Sequence, residues 1–416
     1  MGSKMFPSTI SAREAGFIEK SLSHFVVILL LIACYTSYTD RILSRNAFFS
    51  SLGLYVLYVV FYKNKNLINL NRKSFLFSLS IMLMGAAQLL WHYINKNNTA
   101  DYSLLANKNY SVTGEYLVFF SLSFLFASGN TLALSENSKK HIIPFISVSG
   151  FLYMTLACLS DFYQNPDARL SISSAATTTA YAITFQSLVT MFIAGKSSLP
   201  YNKVILSGIF LITVILLCLS ETRSALLCYP LCIFLIYKNT IKKHFVASLL
   251  LLLIFFAITL SFSGVSDRII EGYNNIATYP QNNNTSIGAR VSMFKGGVNS
   301  FISHPFGQSA ETRNNNITQY IEKNEKGNPG AIDNIKYHLH NDFIEIISLQ
   351  GIIGGGIFLF YLTALHTFLA EKSSIAYITL PVILFGISDV LFIFPRLLII
   401  ILSCIMLMTI LTTKSR

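Results

Sequence analysis

The sequence predicts an all-α integral membrane protein: a bundle of about twelve transmembrane helices with one large, partly helical loop on the outer side. Three observations predict it. Of the 416 residues 53% are hydrophobic and 12% charged, about half the charged share of an ordinary soluble domain. Apolar runs of helix length recur along the whole chain, where a soluble chain of this size divides into cores inside charged shells. Only one long polar stretch, residues 264–342, interrupts them. The runs are continuous rather than alternating, which argues against a β-barrel.

A crossing takes about 20 apolar residues, and twelve runs fit: 22–39, 46–62, 74–92, 114–134, 141–160, 173–195, 204–220, 222–237, 245–263, 343–369, 375–393 and 395–413. The close pairs 204–237 and 375–413 read either as bent elements or as helical hairpins. The first run follows a polar, weakly basic stretch and reads as an uncleaved first span. With the N-terminus inside, seventeen of the 31 Lys and Arg fall on the cytoplasmic side and seven in the short outer segments. The other seven lie in the long loop, which the positive-inside rule does not count. The bias supports twelve spans with both termini cytoplasmic. The chain thus divides into nine spans (1–263), the loop (264–342) and three spans (343–416).

The net charge of +12 follows this topology and does not point to nucleic acid. Cys34, Cys158, Cys218, Cys228, Cys232 and Cys404 all sit in apolar runs and read as small buried hydrophobes. Within the loop, 274–286 is rich in Asn and Thr and reads as flexible. GARVSMFKGGVNSF (288–301) reads as an amphipathic helix, and 314–337 as polar and partly mobile. The loop closes on His338-Leu339-His340-Asn341-Asp342 against a new helix.

Three residues carry the functional signal. Arg223, in CLSETRSALLCY, lies between apolar runs. A bare guanidinium in hydrocarbon costs about 2.5–3.5 kcal/mol, so Arg223 is either a turn residue snorkelling to the interface or part of an anion site near the outer face. Arg290, in TSIGARVSMFKGG, is either a solvated helix residue or a second anion ligand. His340, in HLHNDF, is either a capping residue or a proton acceptor, with His338 as its weaker twin; the two face one side if the segment is extended and diverge if it is helical. Two arginines give bidentate recognition of phosphate, and an imidazole takes a proton near neutral pH. Together they equip a site to displace a pyrophosphate with a hydroxyl. No carboxylate cluster suited to Mg²⁺ or Mn²⁺ is legible on that side, so no metal or cofactor is expected. Arg169 and Arg313 are further outer-side candidates for phosphate contact. Asp389 and Arg396 bracket the last turn and read as a salt bridge.

Five stretches give the chain a resemblance to the bacterial O-antigen ligases, in a superfamily shared with O-antigen polymerases. They are DARLSISSAATTTAYA (167–182), LSETRSALL (219–227), SIGARVSMFKGGVNSFISHPFGQSAETR (286–313), HLHNDFIEIISLQGIIGG (338–355) and GISDVLFIFPRLLIIIL (386–402). The resemblance implies a twelve-span bundle in the bacterial inner membrane with a large periplasmic loop. It implies transfer of O-antigen from undecaprenyl pyrophosphate to an outer-core sugar of lipid A-core, inverting and independent of metal and ATP. It places the family's essential arginines on Arg223 and Arg290 and its essential histidine on His340. An O-antigen polymerase using the same donor is the nearest alternative. A lipid-linked sugar transporter is a second; against it, the spans are nearly free of charge and the unusual residues gather at one face.

Overall fold

In the computed structural model the described residues are 12–62, 71–96, 101–127, 131–166, 168–172, 175–243, 246, 253, 255–257, 259–370 and 375–412. Their regular structure is helical throughout. The elements are α1 (Ala12–Thr36), α2 (Arg41–Tyr62), α3 (Arg72–Asn95), α4 (Asp101–Ala127), α5 (Ile143–Gln164, entered through a π turn), α6 (Ala176–Gly195), α7 (Asn202–Ser220), α8 (Arg223–Ile236) and the short α9 (Lys238–Lys243). They continue with α10 (Ser263–Ala277), α11 (Ser286–Ser303), α12 (Ala310–Asn324), α13 (Pro329–Asn334), α14 (Asp342–Ala370), α15 (Thr379–Ser388) and α16 (Pro395–Thr412). Seven candidate spans among them are long and apolar enough to cross a membrane, and Arg223–Ile236 and Ile375–Ser388 are shorter apolar helices. This is the make-up of an integral membrane α-helical protein.

The expected run 245–263 falls largely outside the described residues. The 204–237 pair is two helices parted at Glu221, whose φ of 49° ends α7. The second pair is also broken: α15 stops at Ser388, and residues 389–394 are not helical. α4 starts thirteen residues ahead of its apolar run, and residues 106–113 still pack: Asn107 and Tyr110 are buried, and Tyr110 lies against Trp91 at 4.7 Å. α16 is central, touching α1, α2, α4 and α6, and α6 is buried along nearly all its length.

Residues 264–342 differ from expectation. α11 matches the predicted amphipathic helix, but 314–337 is not irregular: α12 and α13 fill most of it. Each of these helices is capped by a side chain, Thr285 to Gly288 N, Ser309 to Thr312 N and Asn328 to Ala331 N, all at 3.1 Å. The Asn-rich entry is pinned as well. Asn283 donates to the Glu325 carbonyl and Asn328 to the Asn283 carbonyl, both at 2.6 Å. Composition suggested mobility, yet asparagine amides here replace missing backbone partners. A small core of Ala289, Met293, Ile317, Ile321, Ala331, Ile335 and Leu339 extends past residue 342 to Ile344 and Ile347.

α14 is broken at Gly351, with φ 66° and ψ −160°. A Cβ there would lie 2.6 Å from Gly307 N and from the Phe306 carbonyl carbon. The loop after α11 therefore pairs with the break: Ile352 N donates to Pro305 O at 2.8 Å and Gln308 N to Leu349 O at 2.9 Å.

Candidate active site

The site is built on the start of α14. Asn341 caps it, accepting from Ile344 N and donating to Ile387 O, both at 3.0 Å. Glu345, one turn in, reaches back to Leu339 N at 2.8 Å. Asp342 accepts from Leu391 N at 2.9 Å, tying residues 338–342 to the non-helical turn after α15. These bonds hold His340 at φ 50°, a left-handed conformation that costs a non-glycine residue about 1–2 kcal/mol.

So held, His340 directs Nδ1 to the Asp389 carboxylate at 3.1 Å. A carboxylate can only accept, so Nδ1 carries the proton and Nε2 is left as the basic nitrogen. His338 stands edge-on to His340, ring centroids 4.2 Å apart, with its Nδ1 3.7 Å from the same carboxylate. The two histidines thus converge, although His340 itself is left-handed and neither extended nor helical. Asp389 is 1% exposed. Burial acts to raise its carboxyl, but the His340 hydrogen bond and the charges of His338, His340 and Arg290 outweigh burial and hold it at about 2. The expected Asp389–Arg396 bridge is replaced by this pairing, because the turn after Ser388 presents the carboxylate to the histidines. Asp389 is the contact at this site that sequence reasoning missed. Its signal was an acid inside an apolar run, which needs a partner.

Arg223 opens α8 and Arg290 lies near the start of α11; neither helix has an acidic residue in its first turn. A cation at a helix N-terminus adds to the positive end of the helix dipole, so both positions favour an anion. Arg223 is half-buried, donates to Arg268 O at 3.0 Å and packs on Gly272. The charge of Arg290 is felt at Arg223, Arg169, Tyr181 and Asp389. Glu271, paired to Arg268 at 2.8 Å, offsets part of this positive field.

Arg169 organises the turn that carries Arg223, donating to Ser220 O at 3.0 Å, Thr222 Oγ1 at 3.3 Å and Glu221 O at 3.4 Å. Arg313 is turned inward. It is 1% exposed and donates to Glu345 at 2.7 Å, to Asn314 Oδ1 and to Ile335 O. Its guanidinium therefore holds the subdomain to α14 rather than facing solvent. Tyr181 on α6 links the two halves of the site. Its hydroxyl lies 3.1 Å from Ser224, the neighbour of Arg223, and 3.3 Å from Ser388, the neighbour of Asp389.

The arrangement offers a base backed by a buried carboxylate, and a cationic rim that Glu221 and Glu271 compensate only in part. The donor atoms of His338, His340 and Asp389 also lie within 4.8 Å of one another, a set able to hold a transition-metal ion; Arg290 opposes such binding electrostatically.

Comparison with known proteins bears on this site directly. An O-Antigen ligase family model matches residues 208–359, a segment containing Arg223, Arg290, His338 and His340 but neither Tyr181 nor Asp389. The O-antigen ligase of Escherichia coli (strain K12) is 27% identical over 365 residues, covering 83% of this chain and 84% of that protein. The family segment spans both arginines and the histidine, and the similarity to that O-antigen ligase runs through most of both chains.

Proposed function

We propose that the protein transfers a finished O-antigen glycan from undecaprenyl pyrophosphate to an outer-core sugar of lipid A-core, at the periplasmic face of the bacterial inner membrane with both termini cytoplasmic. The observation that carries this reading is the His340–Asp389 pair joined through Tyr181 to the turn of Arg223. His340 Nε2 accepts the proton of the acceptor hydroxyl. The oxygen bonds to the anomeric carbon from the face opposite the leaving group, so the configuration inverts. The bond from that carbon to the pyrophosphate oxygen breaks, and undecaprenyl pyrophosphate departs with the electron pair. Arg223 and Arg290 bind the diphosphate and stabilise the charge that grows on it, more strongly where water is excluded. Asp389 stabilises the imidazolium that forms. Arginine takes up the charge that a divalent ion would otherwise neutralise, and no ATP enters the bond balance.

Reconstitution tests the proposal. Purified protein in liposomes is given undecaprenyl-pyrophosphate-linked glycan and lipid A-core, with chelator and without nucleotide. Capped lipopolysaccharide is the expected product. Glycan chains lengthened on the lipid carrier, with bare core remaining, would establish polymerase activity instead.

A further inference from the structure

We propose that the helical subdomain formed by α10–α13 rests on the lipid surface through two apolar edges, the exposed face of α10 and the tip around Phe306. In α10 the residues at helical spacing divide sharply. Val265, Gly272 and Asn275 face the protein, and Arg268 is paired to Glu221. Ile269, Ile270, Tyr273 and Ile276 form the other face and are 48–74% exposed. An amphipathic helix with so large an apolar face left open lies in the plane of a bilayer interface. At the tip, Phe306 is 82% and Ile302 68% exposed, although both neighbour well-packed structure.

Three observations set these edges at the water–lipid boundary. The Phe306 backbone lies on the Gly351 break of α14, and the next residues, Ile352 and Ile353, are 60% and 64% exposed as lipid-facing residues of a span would be. Residues 351–370 number about 20, the length of one crossing, so the break marks where α14 leaves the bilayer. Trp91, buried near the end of α3, donates its indole N–H to Gln308 O at 2.9 Å and ties the residues after Phe306 to the end of that span. α10 is level with the same ends, since Arg268 O receives Arg223 at the start of α8. The occupant of both edges is therefore the acyl–headgroup boundary, which fixes the depth of the His340 site. The inference does not depend on the reaction proposed above.

Nitroxide labels on Phe306→Cys and Tyr273→Cys test it, in the full-length protein in phosphatidylethanolamine–phosphatidylglycerol vesicles, with Glu322→Cys on the exposed side of α12 as control. The six native cysteines are buried and leave the background low. Labels at 306 and 273 should collide with oxygen more than with a water-soluble nickel chelate, and the label at 322 the reverse. A water-like ratio at 306 and 273 overturns the proposal. So does dipolar broadening that disappears on dilution with unlabelled protein, since a second copy would then cover the surface.

Discussion

His340 and Asp389, separated by 49 positions in the chain, meet at 3.1 Å from Nδ1 to carboxylate oxygen. The contact leaves Nε2 as the proton-accepting nitrogen and sets separate roles for the two side chains. Removing the base with His340→Ala should lower kcat by about 10²–10⁴-fold. Asp389→Asn keeps the shape but lets the ring adopt the wrong tautomer, so it should lower kcat while KM moves little. Steady-state ligation in liposomes reads both, and an Asp389→Asn protein with wild-type kcat would remove Asp389 from the site.

Arg223 and Arg290 are expected to act as planar forks on a diphosphate. Arg223→Ala and Arg290→Ala should each abolish capped lipopolysaccharide in a complemented deletion strain while membrane insertion is kept. Lysine at either position should rescue poorly, because one ammonium cannot replace a bidentate contact. Full ladders from Arg290→Lys would show that charge alone suffices there.

Arg313 should behave as a structural residue. Breaking a buried pair leaves Glu345 uncompensated, at a cost of about 3–5 kcal/mol. Arg313→Ala should therefore lower the thermal unfolding midpoint, and whatever folded enzyme remains should keep its donor KM. A raised donor KM at unchanged stability would return Arg313 to the phosphate contacts.

Protonation of His338 should limit stability in acid. Burial is the main cause that pushes this imidazole down to about 4, against an ordinary value of 6.5. The folded state therefore favours the neutral ring. The contribution is complete above about pH 6.5, is lost as pH falls towards 4, and amounts to about 3 kcal/mol. Unfolding midpoints measured from pH 7.5 to 4 should fall less steeply for His338→Gln than for wild type. Parallel curves would place the acid sensitivity in other groups.

The three donors of His338, His340 and Asp389 give an inhibition test. Zn²⁺ bound there would occupy the base, so micromolar Zn²⁺ should suppress ligation and chelator restore it. Chelator alone should leave the basal rate unchanged. Loss of activity on chelation would point to a required metal.

Much of the membrane architecture was legible because hydrocarbon demands long uninterrupted apolar helices, and composition records that demand. The HLHND segment and both arginines were legible because polar residues beside apolar runs stand out. The helices α12 and α13 were not, since asparagine-rich composition hides the caps and amide bridges that order them. Asp389 was misassigned to Arg396 because both flank one turn, and proximity in sequence is a weak guide to a side chain's partner.

Taken alone, the amino-acid order determined a helical membrane protein, its long loop and three chemically suggestive side chains, since hydropathy and residue type act locally. Tertiary packing alone decided that Asp389 backs His340, that Tyr181 links them to Arg223, and that Arg313 is engaged by Glu345. Those outcomes depend on distant segments converging at a buried turn, where an unpaired charge is costly enough to select its partner.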